Sequence, residues 1–322
     1  MTKTIIRRFL ILIPQLFVLS LLIFIIGYLM PGDALRGRIG PGTTQEQLEM
    51  MREALGLNDP WYVQYVRWMT GIFTELDFGN SVTQMRPATE VIGDRITNTM
   101  RLSFLTTIFT YLVAVPFGII AAKKEDTVID RGIMIYTFVA LSMPTIVFGL
   151  INLLTFGFNL NWFPTIGSVS NAADFAGGWT RFASQMHHAV LPAITLALIS
   201  TTTIIYFLRS EIIENNAADF VTTARSKGVP EDKVYTHHIL RNALLPVAGS
   251  FGSVFAGLFM GSIFIERVFG FSGMGDLFIS SILVQDWPVA NTLILFYAVL
   301  IVTSILITDI LITIIDPRIR VK

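Results

Sequence analysis

The sequence contains no cysteine, and only 14% of its 322 residues are charged. The absence of cysteine excludes disulfide bonds and thiol chemistry. The 23 basic and 23 acidic residues balance, so the overall charge does not indicate a nucleic-acid partner. Trp (5) and Tyr (8) are few beside 25 Phe, a ratio that suits helices facing lipid.

Motifs for nucleotide and metal chemistry are also missing. No glycine-rich loop ending in Lys-Ser or Lys-Thr occurs, so the sequence predicts no ATP site of that type. The four histidines form two adjacent pairs, His187-His188 and His237-His238. Neighbouring residues on a helix point about 100° apart and chelate one metal ion poorly. These gaps disfavour an enzyme, because no nucleophile and base stand in a catalytic pattern.

Long apolar runs are what the sequence has in abundance. Hydrophobic residues make up 53% of the chain, which is too apolar for an average soluble protein. Six uncharged runs are each about 20 residues long or more, the length that crosses a bilayer. The predicted spans are 9–30, 102–122, 132–156, 189–208, 242–265 and 287–308. The first run is too long for a signal peptide and lacks a cleavage motif, so it is predicted to be a retained span.

The distribution of lysine and arginine predicts the orientation. The segments that would lie inside carry 14 of the 23 basic residues, which places both termini in the cytoplasm. Four regions follow from this topology: 1–30 as N-terminal tail and first span, 31–101 as a long extracytoplasmic loop, 102–315 as a five-helix core, and 316–322 as a cytoplasmic tail.

Two segments outside the predicted spans have helical character of their own. Thr44 and Gln47 fit a capping box that starts a helix, which Gly56 would end. The apolar stretch 277–284 is too short to span a membrane, so we expect a re-entrant or surface helix there.

A polar stretch, 215–246, interrupts the apolar runs and holds a short helix of its own. Asn216 is predicted to cap this helix, with Asp219 in its first turn, where the helix dipole favours an acid. Gly228 would end the helix, because glycine enters the left-handed region without steric cost. A second helix would begin near Glu231 and run into the next span. The pattern is typical of a docking element for a soluble partner, and the alternative is an ordinary loop between spans.

The same stretch resembles the EAA loop of binding-protein-dependent ABC importer permeases. Residues 219–228 read DFVTTARSKG and 240–246 read LRNALLP, close to the form in peptide and nickel permeases of the OppB/DppB-like family. Asn216-Ala217-Ala218 stands where some relatives have Glu-Ala-Ala. Further similar segments are 30–33, 55–60, 77–81, 266–276, 285–288 and 309–320, although Ser272 replaces a frequent proline. The resemblance covers nearly the whole chain.

The resemblance implies an all-α membrane protein with six transmembrane helices. The implied architecture is the type I ABC importer (MetI-like) permease fold, with a long extracytoplasmic loop after the first helix. Its coupling loop, 209–242, would dock on an ATPase. The implied docking residues are Asn216, Ala217, Ala218, Asp219, Phe220, Thr223, Ala224, Arg225, Lys227 and Gly228. Implied contacts with a binding protein or gate are Asp33, Phe269, Gly273, Gly275 and Asp286.

The resemblance also implies partners and a location. Expected partners are a second homologous permease subunit, two cytoplasmic ABC ATPase subunits, an extracytoplasmic substrate-binding protein and the lipid bilayer of a bacterial or archaeal cytoplasmic membrane. This chain would bind no cofactor, with ATP and magnesium held by the ATPases, and no nucleic acid. Oligopeptide or dipeptide is the expected substrate, with nickel or another small solute as the alternative.

Two other classes of function stay open on the residues alone. A stand-alone secondary transporter usually places ionisable residues at membrane depth and often shows an inverted repeat. The predicted spans carry almost no such residues, and no internal repeat is visible. A membrane enzyme would need a site assembled from scattered polar residues.

Overall fold

The computed structural model describes residues 2–29, 44–54, 58–261 and 263–315. The regular secondary structure of these residues is helical, apart from one isolated bridge between Asn80 and Pro87. This confirms the prediction of an all-α protein. The predicted tail 316–322 and the part 31–43 of the predicted extracytoplasmic loop lie outside the described residues.

The described residues form fourteen α-helices. They are α1 Thr2–Leu29, α2 Gln45–Ala54, α3 Trp61–Glu75, α4 Ala88–Lys123, α5 Val128–Ser142, α6 Thr145–Asn152, α7 Asn171–Ala176, α8 Gly178–Asn216, α9 Asp219–Ser226, α10 Glu231–Lys233, α11 Arg241–Gly261, α12 Ile263–Val268, α13 Met274–Leu283 and α14 Trp287–Ile315. Two wider π-helical segments are inserted, π1 Leu153–Asn159 after α6 and π2 Val234–Leu240 before α11.

Four helices of the described chain are long and apolar enough to cross a membrane. They are Leu10–Leu29 of α1 and the helices α4, α8 and α14, the last through its residues Trp287–Thr308. A fifth span results if α5 and the α6–π1 helix, Thr145–Asn159, count as one. The six predicted spans are therefore not confirmed: the run 242–265 falls mainly in α11, which is not among these helices.

The predicted third span, 132–156, is broken rather than straight. Its two halves meet at an angle of 107°. Met143 at the break is extended, with φ −87° and ψ 126°, and Pro144 follows as the N-cap of α6. Proline disfavours a helical conformation in the residue before it, which accounts for the bend. The uncharged run did not predict this bend, because the absence of charge indicates a membrane location but not the direction of the helix axis.

The chain forms two compact units. Among the described residues, the first comprises those of 101–271 and 304–315, and the second comprises those of 2–100 and 272–303. In the second unit, the Ser20 hydroxyl of α1 lies 2.8 Å from the Tyr65 hydroxyl of α3, and Phe24 packs edge-on against the same tyrosine. The capping box is confirmed, since Gln47 N donates to Thr44 Oγ1 and Thr44 N donates to Gln47 Oε1. Its predicted end at Gly56 lies outside the described residues.

The predicted short helix near 277–284 is confirmed as α13. Its first residue, Met274, donates its backbone N–H to Thr99 Oγ1 at 2.8 Å. The adjacent Asn98 donates its side-chain amide to the Ser272 carbonyl. These two bonds fix the start of α13 on α4, because the first N–H groups of a helix otherwise lack partners.

The first unit is held by two apolar clusters. One joins α4, α8, α9, π2 and α11 around Leu208, Ile239 and Ala243. The other joins α4, π1, α8 and α12 around Leu102, Leu191 and Ile265. Close packing of these side chains stabilises the unit through van der Waals contacts between its helices.

Helix α11 approaches α14 at Gly252. A Cβ built there would lie 2.7 Å from the backbone oxygen of Ser304 and closer still to Oγ1 of Thr308. Gly257, one and a half turns further along α11, has no atom of the described residues within 4 Å of its Cβ position. Of the two glycines, Gly252 is therefore the one that permits a close helix approach.

We expect Gly252→Ala to destabilise the protein, because the new methyl group meets backbone that cannot yield. Overpacking of this kind costs about 1–3 kcal/mol. The matched variant Gly257→Ala should be neutral or stabilising by up to about 1 kcal/mol, since alanine favours helix over glycine. Thermal unfolding of the purified variants in detergent measures both effects. Equal unfolding temperatures for the two variants would contradict the close approach.

Candidate coupling surface

The predicted coupling loop, 209–242, begins inside the long helix α8. Asn216 is the last residue of α8, and Ala217 follows as its C-cap. Helix α9 starts at Asp219, with Ala218 extended as an N-cap that offers no side-chain hydrogen bond. The prediction that Asn216 caps the short helix is thus wrong, because α8 continues through that residue. Asp219 does lie in the first turn of α9, as predicted.

Gly228 ends α9 in the predicted manner. Its φ is +72°, and its N–H donates to the carbonyl of Arg225 at 2.9 Å. The next N–H, of Val229, donates to the carbonyl of Ala224 at 3.2 Å. This pair of bonds is a Schellman motif, which satisfies the last carbonyls of a helix and reverses the chain.

Helix α9 has one buried face and one exposed face. Val221 and Ala224 are 0% and 6% exposed and pack in the cluster with Leu208, Val234 and Ile239. The outward residues are exposed: Asp219, Phe220, Thr222, Thr223, Arg225, Ser226 and Lys227. Among the predicted docking residues, Ala224 therefore faces the permease itself. Its small size lets α9 lie close to α8 and π2.

Arg225 forms hydrogen bonds across the exposed surface of the coupling loop. Its Nη2 donates to Glu231 Oε1 at 2.6 Å and to Asn216 Oδ1 at 2.9 Å, and its Nε donates to Glu231 Oε2. The bonds to Arg225 hold the pKa of the Glu231 carboxyl below its usual value, and those to Glu231 raise the pKa of Arg225. One side chain thus links the end of α8, helix α9 and the start of α10.

The segment π2, which leads from the coupling loop into α11, contacts α4 through Tyr235, a residue that the sequence analysis did not identify. Lys123 Nζ, at the end of α4, lies 4.2 Å from the centre of the Tyr235 ring. Burial raises the pKa of the Tyr235 hydroxyl. Tyr235 belongs to π2, and π-helical turns are frequent at functional sites.

An ion pair at the base of the loop was also missed. Arg209 donates through Nε to Asp130 Oδ1 at 2.7 Å and through Nη2 to Oδ2 at 2.8 Å. The Asp130 side chain is only 4% exposed, and it also accepts the N–H of Asp126. The only signal in the sequence was that each charge adjoins an uncharged run.

The residues predicted to contact a binding protein or a gate are buried, as far as the structure describes them. Phe269, Gly273, Gly275 and Asp286 are all buried, and Asp33 lies outside the described residues. Phe269 is a core residue of the cluster with Leu102, and Gly273 is the N-cap of α13. All four are thus buried within this chain, and their contact with a binding protein or a gate stays a prediction.

Asp286 is the clearest structural case. Its Oδ2 accepts from Ser81 Oγ at 2.5 Å, Thr83 Oγ1 at 2.8 Å and Thr83 N at 3.3 Å, while Oδ1 accepts from Val82 N at 3.0 Å. The carboxylate is 2% exposed. It holds the turn 80–87, where Ser81 N donates to the Arg86 carbonyl, against the start of α14.

The sequence matches two family models that together span nearly all of it. Residues 114–321 match the binding-protein-dependent transport system inner membrane component, and residues 1–104 match the N-terminal part of the same membrane component. Because the first match covers more than half of the chain, this protein belongs to that family.

Two relatives cover the full length. The oligopeptide transport system permease protein AppB of Bacillus subtilis (strain 168) is 38% identical over 321 residues, covering 99% of this chain and 100% of the relative. The glutathione transport system permease protein GsiC of Salmonella paratyphi A (strain ATCC 9150 / SARB42) is 33% identical over 322 residues, covering 100% of both chains.

A solved structure supports the fold. It shows inward-facing conformations of the MetNI methionine ABC transporter, with a TM-score of 0.56 at 13% identity, covering 71% of this chain and 97% of that one. Similarity at this identity concerns the fold alone. Family and fold together define a permease subunit of an ABC importer. The chain is an integral inner-membrane component of such a transporter rather than its ATPase, and the transporter class implies ATPase partners and a substrate-binding protein.

We expect Gly228→Val to loosen α9 through strain rather than through a clash. No atom of the described residues lies within 4 Å of a Cβ at this position, but a left-handed backbone costs a non-glycine residue about 1–2 kcal/mol. Gly228→Asn is the matched control, because asparagine tolerates this conformation. Hydrogen–deuterium exchange over 219–229 should be faster in the valine variant and near normal in the asparagine variant. Normal exchange in both would refute the argument.

We expect Asp286→Ala to lower stability, because the buried N–H of Val82 and the buried hydroxyl of Ser81 lose their acceptor. Each unpaired group costs about 1–3 kcal/mol. Asp94→Ala is the control, because it removes an ion pair with Arg86 at the surface. The Asp94 side chain is 58% exposed, and such surface pairs contribute about 0–1 kcal/mol. The measurement is the midpoint of thermal unfolding. A loss no larger than that of the control would count against the clamp.

Proposed function

We propose that this chain is the peptide-translocating permease of an ABC importer, and that helix α9 is the surface on which an ATPase subunit docks. One observation carries the docking proposal. Helix α9 buries Val221 and Ala224 in the permease core and directs its other residues outward. A helix of eight residues has no stability of its own, so its fixed position depends on that inward packing.

Phe220 is the strongest candidate for a docking contact. It is 40% exposed, although it stands beside the fully buried Val221. An exposed aromatic residue on a polar helix is a typical interface anchor. Asp219, Thr223 and Lys227 surround it on the outward face and would form the polar rim. Asn216 and Arg225, both exposed, are joined by a hydrogen bond and hold the end of α8 to this helix.

The complete transporter would contain partners that supply the energy and the substrate. A second homologous permease would complete the pathway, and two ATPase subunits would hold ATP and magnesium. A substrate-binding protein would deliver peptides on the opposite side. The excess of lysine and arginine in 209–242 and near both termini supports a cytoplasmic location for these segments. In this topology six spans cross the membrane, with α11 as the span outside the set of long apolar helices.

The proposal of peptides as substrate rests on the relatives. One is named for oligopeptides and the other for glutathione, itself a tripeptide. Competition in an uptake assay tests the choice: unlabelled dipeptides and oligopeptides should suppress uptake of a labelled tripeptide, and nickel should not. Suppression by nickel alone would favour the alternative substrate.

We expect Phe220→Ala to reduce co-purification of the ATPase subunits and to reduce peptide uptake in proportion. Truncation of a central interface anchor typically costs about 2 kcal/mol or more in binding, roughly thirtyfold in affinity. Phe175→Ala is the matched control, because this phenylalanine in α7 is 93% exposed and lies outside the coupling loop. Undiminished ATPase binding by the Phe220 variant would contradict the docking role.

A further inference from the structure

Helix α5 is fastened to helix α8 at two levels. At the end of α5 that adjoins Lys123 and Lys124, Asp130 and Arg209 form the two-pronged ion pair described above. Six residues further along α5, the Tyr136 hydroxyl donates to the carbonyl of Leu198 at 2.7 Å and lies 2.8 Å from Thr201 Oγ1. Two helices joined at two separate levels resist both sliding and rotation against each other.

The ion pair is suited to transmit force because its geometry is rigid. Two parallel bonds between a guanidinium and a carboxylate fix relative orientation as well as distance. Asp130 is further held within its own turn, where Asp126 N donates to Oδ2 and Thr127 caps α5. The carboxylate is therefore a fixed point of the turn that begins α5.

Arg209 stands next to the buried base of the coupling loop. The preceding residue, Leu208, is fully buried in the cluster that contains Val221 and Ala224 of α9. A displacement of α9 therefore acts on this end of α8 through packed side chains. The ion pair between Arg209 and Asp130 then links this end of α8 to the start of α5. Helix α5 in turn leads to the 107° bend before α6.

We propose that Asp130 and Arg209 are positioning residues that make α5 follow the coupling end of α8. A displacement of α9 by an ATPase then reaches the bent α5–α6 pair as well as the helices adjoining the loop. The inference rests on the proposed function, because it assumes that α9 receives the displacement. It predicts that weakening the pair leaves ATPase docking intact while less transport accompanies each hydrolysis event.

The test uses the complete transporter in proteoliposomes, with three readouts: ATPase co-purification, the rate of ATP hydrolysis and the amount of peptide transported per ATP. Arg209→Lys keeps the charge but loses the two-pronged bond. We expect normal co-purification and sustained hydrolysis, with transport per ATP lowered roughly fivefold or more, the usual lower bound for coupling between sites. Asp130→Asn, which keeps an acceptor for the Asp126 N–H but removes the charge, should lower transport per ATP in the same way.

Arg181→Lys is the matched control. Arg181 lies on the same helix α8 and pairs with Asp174 at 2.8 Å, but it lies near the other end of α8 and both side chains are about half exposed. It should leave transport per ATP unchanged. The proposal is overturned if Arg209→Lys transports as much per ATP as the wild type, or if its transport falls only as far as ATPase binding falls. Failure of docking in the wild type, or no effect of Phe220→Ala on it, would instead overturn the proposed function.

Discussion

The burial of one face of α9 is the interaction on which the coupling loop depends. The helix has eight residues and a sequence of mixed propensity, so it would not form in isolation. Val221 and Ala224 give it an apolar edge, and residues from α4, α8, π2 and α11 surround that edge. The position of the helix is therefore set by the same cluster that holds the spans together. Movement on its outer face cannot be separated from movement of that cluster.

Two polar arrangements adjust this position in different ways. Arg225 binds Asn216 and Glu231 at the surface, where water screens the interaction and the bonds can be exchanged for others. Asp130 and Arg209 meet at a site where the carboxylate is almost wholly buried. Separating that pair would strand a charge away from water, so it is retained as long as both helices stay folded. The surface contacts of Arg225 thus hold the shape of the loop, while the buried pair of Asp130 and Arg209 holds the end of α8, where the loop begins, against α5.

Local chemistry determined which parts of this structure could be predicted from sequence. Gly228 was predicted because the requirement for a left-handed residue at the end of a helix is a property of one position. The capping box at Thr44 was predicted for the same reason. Asn216 was predicted wrongly as a cap, because the choice between ending α8 and starting α9 depends on how far α8 continues. The bend at Pro144 was missed because the run 132–156 is uncharged on both sides of it.

Contacts between distant residues explain the remaining differences. Asp130 and Arg209 are 79 residues apart, and Asp286 and Ser81 are 205 apart, so no spacing rule could pair them. A similar limit applies to Asp286, which lies in a segment similar to the family pattern and was expected to contact a binding protein or a gate. Its four acceptor contacts show that a recurring motif can arise from an internal requirement: a carboxylate buried beside two backbone N–H groups must stay in place for the turn 80–87 to remain folded. A resemblance can identify such a residue, but only its surroundings decide whether it acts inward or outward.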